Sequence, residues 1–181
     1  DKPDSQDICF VPDGDYASFI EQYTGQSSEP GDFVNKEGKV LGKHKGQIHY
    51  TIGQRRGLGI SAPESLYVCG KSLDSNEVIL GGKQDLMSNY CYINDINLIP
   101  WDHLDAPIKC KVKTRYRQPE QPATVEQIGE DLIKITFDEP QRAVTPGQAA
   151  VLYDDDMVLG GGTILPEGLA STMTTSQGTN N

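Results

Sequence analysis

From Asp32 onward, short β-type runs alternate with turn signals, and this punctuation constrains the fold more than any other feature of the chain. Phe33-Val34, a turn at Asn35 to Gly38, and Val40-Leu41 come first, followed by Ile48 to Ile52. Leu66 to Cys69 and Glu77 to Leu80 flank Asp74-Ser75-Asn76 and read as a hairpin, with a boundary at Gly81-Gly82. Beyond it, strand candidates recur at 90–98, 108–117, 122–128, 131–137, 148–153 and 157–164, separated by Pro, Gly or acidic turns. Strands this short and this closely spaced predict a closed or partly open barrel.

One helix interrupts the pattern. Tyr16, Phe19, Ile20 and Tyr23 follow i, i+3, i+4, i+7 spacing, with Asp15 as N-cap and Gly25 as stop. The chain therefore reads as mainly β: an extended segment over 1–14, a small β-rich domain with one short helix over 15–80, an antiparallel six-stranded β-barrel over 81–165, and a loose tail over 166–181. The tail is rich in Ser, Thr, Gly and Asn and holds too little apolar surface to offset its ordering entropy. No heptad or longer repeat competes with this reading.

At 181 residues the chain is long enough to bury a hydrophobic core without staples. Its apolar runs, such as Val78 to Leu80 and Ala149 to Leu152, are far too short for a membrane span. It opens with Asp-Lys-Pro-Asp-Ser, without Met or a secretory pattern, and reads as an excised fragment. Cys9, Cys69, Cys91 and Cys110 are widely spaced and form no CxxC pair, so a reducing, cytoplasmic setting fits better than a zinc ribbon or disulfide framework.

A formal net charge of −10 argues at first against a nucleic-acid partner. The distribution reverses that impression, because ten of the 16 Lys and Arg residues occupy two stretches. Lys39, Lys43, Lys45, Arg55 and Arg56 lie between Gly38 and Pro63, where no acid occurs. Lys109, Lys111, Lys113, Arg115 and Arg117 alternate along one segment.

The period of a strand puts those five alternating charges on one face, with Cys110, Val112, Thr114 and Tyr116 facing inward or sideways. Neighbours roughly 6.6 Å apart repel by about 0.6 kcal/mol in water before screening. Either acids on adjoining strands, such as Glu120 or Glu126, neutralise the row, or it tracks phosphates with Tyr116 stacking a base. In the other stretch, Arg55 and Arg56 offer planar forks among glycines that let backbone approach a ligand. His44 and His49 lack partners for a metal site and read as surface or structural residues, so no metal is assigned. Gly160-Gly161-Gly162 has no following helix or Lys-Ser/Thr ending and reads as a turn or bulge rather than a phosphate cradle.

Cys69, Cys91 and Cys110 look like small core residues, whereas Cys9 lies in the low-complexity front segment. By chemistry alone Cys9 reads as inert, since a thiol at its ordinary pKa is only about 8% thiolate at pH ~7.4 and its sequence neighbours are acidic.

Several segments, in order, resemble the tRNA-specific 2-thiouridylases. They are Asp4-Ser5-Gln6-Asp7-Ile8-Cys9-Phe10, Gly42-x-His44-x-Gly46, Thr51-x-Gly53-Gln54-Arg55-Arg56-Gly57-Leu58, Lys113-Thr114-Arg115-Tyr116-Arg117, Thr145-Pro146-Gly147-Gln148-Ala149-x-Val151-x-Tyr153 and Leu159-Gly160-Gly161-Gly162. The resemblance implies a three-domain enzyme, of which this chain covers the small central domain and the carboxy-terminal barrel. In that family ATP adenylates the C2 oxygen of the wobble uridine, a persulfide on the cysteine matching Cys9 delivers sulfur, and a second cysteine in the amino-terminal domain releases it.

By the same resemblance Arg115, Tyr116 and Gln148 are contacts to the tRNA anticodon region, with Arg55 and Arg56 as further candidates. A persulfide donor protein is implied as a second partner. No SGGxDS-type loop is found in the chain, so the fragment alone is expected to bind no ATP and to be inactive. Two other readings stand beside this one: a non-catalytic RNA-binding barrel in which Cys9 is inert, and a thiol-redox or protein-interaction module whose basic row docks an acidic partner.

Overall fold

The computed structural model describes residues 11, 15–25, 27–116 and 118–166. The front segment with Cys9, Arg117 and the tail from Glu167 onward therefore lie outside the described residues. The chain divides into two compact units, 1–82 and 83–181.

In the first unit, helix α1 spans Tyr16–Thr24. Asp15 caps it by accepting from the Ser18 backbone N–H at 3.1 Å and from the Ser18 hydroxyl at 2.6 Å, an arrangement that contributes about 1 kcal/mol. Gly25, left-handed at φ +68°, ends it. Both caps and the helix agree with the sequence reading. The expected apolar stripe is only partly covered, since Ala17 is the buried residue of α1 while Tyr16, Ile20 and Tyr23 are exposed.

Strands β1 (Gly31–Val34), β2 (Val40–His44), β3 (Tyr67–Ser72) and β4 (Glu77–Gly81) form a sheet in the order β2-β1-β4-β3. The β1–β4 pair is parallel, and the predicted β3–β4 hairpin is present. Phe33, Tyr50, Leu58, Val68, Val78 and Leu80 make the core. Ile48 to Ile52 is not the strand expected there. Gln47–His49 forms a 3-10 turn instead, because the buried Gln47 amide donates to Ser72 O at 2.7 Å and Tyr50 packs edge-on against Phe33 and His44. Tyr50 and Ile52 pack against the sheet core rather than extend the sheet, while Ile48 is exposed.

The second unit is a closed antiparallel barrel of six strands in the order β10-β5-β8-β7-β6-β9. Its strands are β5 (Met87–Leu98), β6 (Ile108–Lys113), β7 (Gln121–Gly129), β8 (Leu132–Arg142), β9 (Ala149–Asp154) and β10 (Met157–Ile164). Closure pairs every edge. Ile93, Val112, Val125, Ile133, Ile135, Leu152 and Ile164 fill the interior, each contributing about 1.5–3 kcal/mol by burial. Their outward neighbours include Lys111, Glu126 and Lys134.

The triple glycine is a bulge, as expected. The β10 register shifts between Val158 and Gly160 and again between Gly161 and Thr163. A Cβ on Gly160 would collide with Asn97 O, one on Gly161 with Ala150 O, and one on Gly162 with Asn94 O at 2.5 Å. Glycine is required here by the approach of β5 and β9 backbone, not by a phosphate.

Candidate nucleic-acid interface

The alternating row is half strand and half turn. β6 stops at Lys113, and the chain then turns, with the Gln118 N–H donating to Arg115 O at 3.2 Å. Lys109, Lys111 and Lys113 keep strand alternation around Val112, and Thr114 is buried. Of the inward or sideways orientations that the strand reading allowed Tyr116, the inward one is not found. The turn frees its ring, which is 72% exposed, and Lys113 Nζ lies 5.9 Å from the ring centroid. The fifth cation of the row, Arg117, is outside the described residues.

Acids from elsewhere in the barrel do neutralise half of the row, but the ion pairs are made by residues other than Glu120 and Glu126. Lys109 pairs with Asp138 of β8 at 2.8 Å, and Lys111 pairs with Asp155 of the β9–β10 turn at 3.0 Å. Both partners are remote in sequence, and Glu120 acts on Lys111 through its charge alone.

Arg115 is half-buried and bound to the loop that follows β8. Its Nη2 donates to Ala143 O at 2.6 Å and to Thr145 Oγ1 at 3.2 Å, while Thr145 Oγ1 donates to Ala143 O at 3.0 Å. Burial, and then the charge of Arg142, push the guanidinium below its ordinary value. Buried Nε has no partner among the described residues. Arg115 thus holds Thr145, the first residue of the turn Thr145-Pro146-Gly147-Gln148.

That turn follows its sequence. Pro146 and Gly147 occupy the central positions, Gly147 is left-handed at φ +81°, and the Gln148 N–H returns to Thr145 O at 3.3 Å. Gly147 N donates to Ile164 O at 2.8 Å and Ile164 N donates to Gln148 O at 2.8 Å, so β10 anchors the turn and Gln148 is presented to solvent. The tertiary structure therefore brings Arg115, Tyr116 and the Gln148 turn to one end of the barrel.

Sequence reasoning missed the glutamines beside them. The Gln118 amide donates to Gln141 Oε1 at 2.6 Å, and Gln141, 5% exposed, donates to Glu139 O at 2.7 Å and to Gln121 Oε1 at 3.4 Å. Because a carbonyl only accepts, Glu139 O fixes the Gln141 amide orientation and through it that of Gln118. A run of glutamines near two basic clusters carries no signal that would have singled them out.

Arg55 and Arg56 belong to the first unit and are not on the barrel. They are exposed on a loop organised by Gln54, whose Oε1 accepts from Thr51 N at 3.0 Å and whose Nε2 donates to Arg56 O at 2.9 Å. Arg55 borders a shallow cleft of about 330 Å³ that also touches Leu58, Ile60, Glu64 and Leu66.

His44 is structural, in keeping with the sequence reading. It is 2% exposed, and its Nδ1 accepts from Gly46 N at 3.0 Å, so Nε2 carries the proton donated to Asn76 O at 3.1 Å. His49 Nε2 lies 3.9 Å from Glu21 Oε1. No group of three or more potential metal ligands occurs among the described residues. Nor is any described helix long and apolar enough to cross a membrane.

Cys91 and Cys110 behave as core residues. Burial pushes the Cys91 thiol up to about 12, and burial together with Asp154 pushes Cys110 up to about 11, so neither is a thiolate near neutrality.

Comparison with known proteins divides the chain where the two units divide. Residues 17–82 match the profile of the tRNA methyl transferase PRC-barrel domain, and residues 88–164 match the aminomethyltransferase beta-barrel domain. The tRNA-specific 2-thiouridylase MnmA of Clostridioides difficile is 47% identical over 90% of this chain, and that of Carboxydothermus hydrogenoformans is 46% identical over 91%. The chain belongs to the tRNA-specific 2-thiouridylase family. The match corresponds to the family's carboxy-terminal part, and the chain spans about 45% of the length of these two relatives. Set against this 2-thiouridylase framework, the barrel end with Arg115, Tyr116 and Gln148 is the candidate RNA surface.

Proposed function

We propose that this chain is the tRNA-holding and sulfur-carrying part of a 2-thiouridylase that replaces the C2 oxygen of the wobble uridine by sulfur. The observation that carries the RNA half is the barrel end. An exposed Tyr116 ring sits beside Lys113, a stacking surface next to a phosphate-seeking charge, and the anchored turn offers Gln148. Arg115 positions that turn and lends it positive charge. Arg55 and Arg56 supply further phosphate contacts from the first unit.

Cys9 carries the sulfur as a persulfide. Family membership and the match of Asp4 to Phe10 support this, and the protonated thiols of Cys91 and Cys110 exclude them as ready nucleophiles. ATP use belongs to the part of the family's length that this chain does not span. Adenylation of the uridine O2 makes it a leaving group, the terminal persulfide sulfur attacks C2, and AMP departs. A second thiol then attacks the Cys9 sulfur, the S–S bond breaks, and the transferred sulfur keeps the electron pair as the new thiocarbonyl. A disulfide between the two cysteines remains and must be reduced before the next cycle. A persulfide donor protein reloads Cys9, and the tRNA substrate places the reaction in the cytoplasm.

The test compares the full-length protein with its Cys9→Ser variant, given ATP, a persulfide source and unmodified tRNA. Loss of 2-thiouridine with tRNA binding intact is the expected result. Undiminished product sinks the sulfur-carrier role and leaves a non-catalytic RNA-holding barrel.

A further inference from the structure

The basic row of β6 and its following turn is electrostatically divided. Lys109 and Lys111 each bind a carboxylate, Asp138 and Asp155, at 2.8 and 3.0 Å. Around Lys111 the acids are several: Asp155 holds it, Glu120 and Asp156 add to the field, and these residues with Tyr153 line one open surface hollow. Past Val112 the character changes. Lys113 faces the Tyr116 ring, and among the described residues Arg115 is bonded to a carbonyl and a hydroxyl and to no carboxylate.

We infer that Asp138 and Asp155 act as fixed counter-charges that shut the Lys109–Lys111 half of the row out of RNA contact, confining backbone tracking to the end that carries Lys113, Arg115, Tyr116 and Gln148. The inference rests on the proposed RNA role of that end and adds what limits it. A phosphate approaching Lys111 meets a cation already balanced by Asp155 and two further carboxylates, Glu120 and Asp156, that repel it, so it gains no counterion release there. At Lys113 the same phosphate meets a charge that, among the described residues, has the Tyr116 ring beside it and no ion pair. The carboxylates come from β8 and from the β9–β10 turn, so one ion pair bridges two strands of the closed barrel and the other ties β6 to a turn. The consequence is selectivity. A uniformly basic strand would grip any RNA, whereas a strand neutralised along half its length binds well only an RNA that also fits the turn end.

The pairs are open to a clean test because the acids are exposed. Asp155 sits at φ +48°, a left-handed position that asparagine tolerates, so Asp155→Asn removes charge without straining the turn. In the full-length protein, tRNA affinity is measured against salt for wild type, Asp155→Asn, Lys111→Ala and the double variant, with Tyr116→Ala alongside. Freeing Lys111 is expected to steepen the salt slope by about 0.7 and to tighten binding on the order of 5-fold near 0.1 M salt. Binding of an unrelated single-stranded RNA should tighten at least as much. Lys111→Ala alone should change little, yet it should erase the gain in the Asp155→Asn background. Equal effects of Lys111→Ala in both backgrounds, or no gain from Asp155→Asn, overturn the inference while a weakening by Tyr116→Ala leaves the RNA role standing. If Tyr116→Ala also binds tRNA like wild type, the RNA role of the barrel end falls, and this inference falls with it.

Discussion

The two basic stretches look alike as sequence and are built by opposite means. In the first unit, Arg55 and Arg56 ride on a loop whose shape comes from one glutamine side chain and from glycines, with a 3-10 turn upstream in place of a strand. In the barrel, the charges ride on a hydrogen-bonded strand and on two turns anchored by neighbouring backbone and by Arg115. A loop of the first kind adapts to a ligand. A closed barrel of the second kind holds its contacts in place, and a rigid support makes each contact more selective.

The sharpest way to break this contrast is to attack the rigidity itself. Gly160→Ala drives a Cβ into Asn97 O from a backbone at φ +143°, and should cost about 3 kcal/mol in urea unfolding of the second unit. A barrel that tolerates it with an unchanged midpoint is softer than its packing implies.

Alkali separates the barrel thiols from the rest. Cys91 keeps its proton up to about 12 in the folded state, whereas the unfolded thiol releases it near 9.0. The folded state then binds more protons, so this contribution is fully present below about pH 9 and is lost as pH rises toward 12. The loss approaches about 1.4 kcal/mol per pH unit within that window, and Cys110, only part-buried, adds a smaller share. Unfolding midpoints recorded at pH 8 and above pH 10 should diverge, and Cys91→Ala should flatten the divergence.

For RNA binding, Tyr116→Ala removes the exposed ring and should weaken tRNA affinity about 10-fold, the lower end of what a stacked base contributes. The salt slope should stay nearly constant, since no charge is lost. Arg55→Ala should do less, about 5-fold near 0.1 M salt, and should reduce the slope by about 0.7. A larger loss from Arg55→Ala than from Tyr116→Ala would shift the weight of RNA binding from the barrel to the loop.

Much of the fold was legible in advance because its causes are local. Asp15 and Gly25 bound a helix that their own backbone preferences dictate, and Asn35 to Gly38, Asp74 to Asn76 and Thr145 to Gln148 turn where short-range chemistry says they should. Short β-type runs between Pro, Gly and acidic turns placed all six barrel strands, although the second of them, β6, ends at Lys113 rather than at 117. The segment Ile48 to Ile52 misled for the same reason, since its β-type composition is real but Gln47 and Tyr50 find partners across the sheet that outweigh it.

The sequence by itself determined the strands, the caps, the turn types and the residue types available for chemistry, because these depend on backbone sterics and neighbours a few positions away. Only the tertiary structure decided which charges are free. Lys109 meets an aspartate 29 residues on and Lys111 one 44 residues on, while Arg115 reaches a carbonyl 28 residues away. Those separations are set by the order in which strands close the barrel, and no local pattern encodes them. The four described cations of the row thus became two neutralised lysines, one lysine beside an aromatic ring and one half-buried strut, because charge in a folded chain is settled by what the fold brings within reach of it.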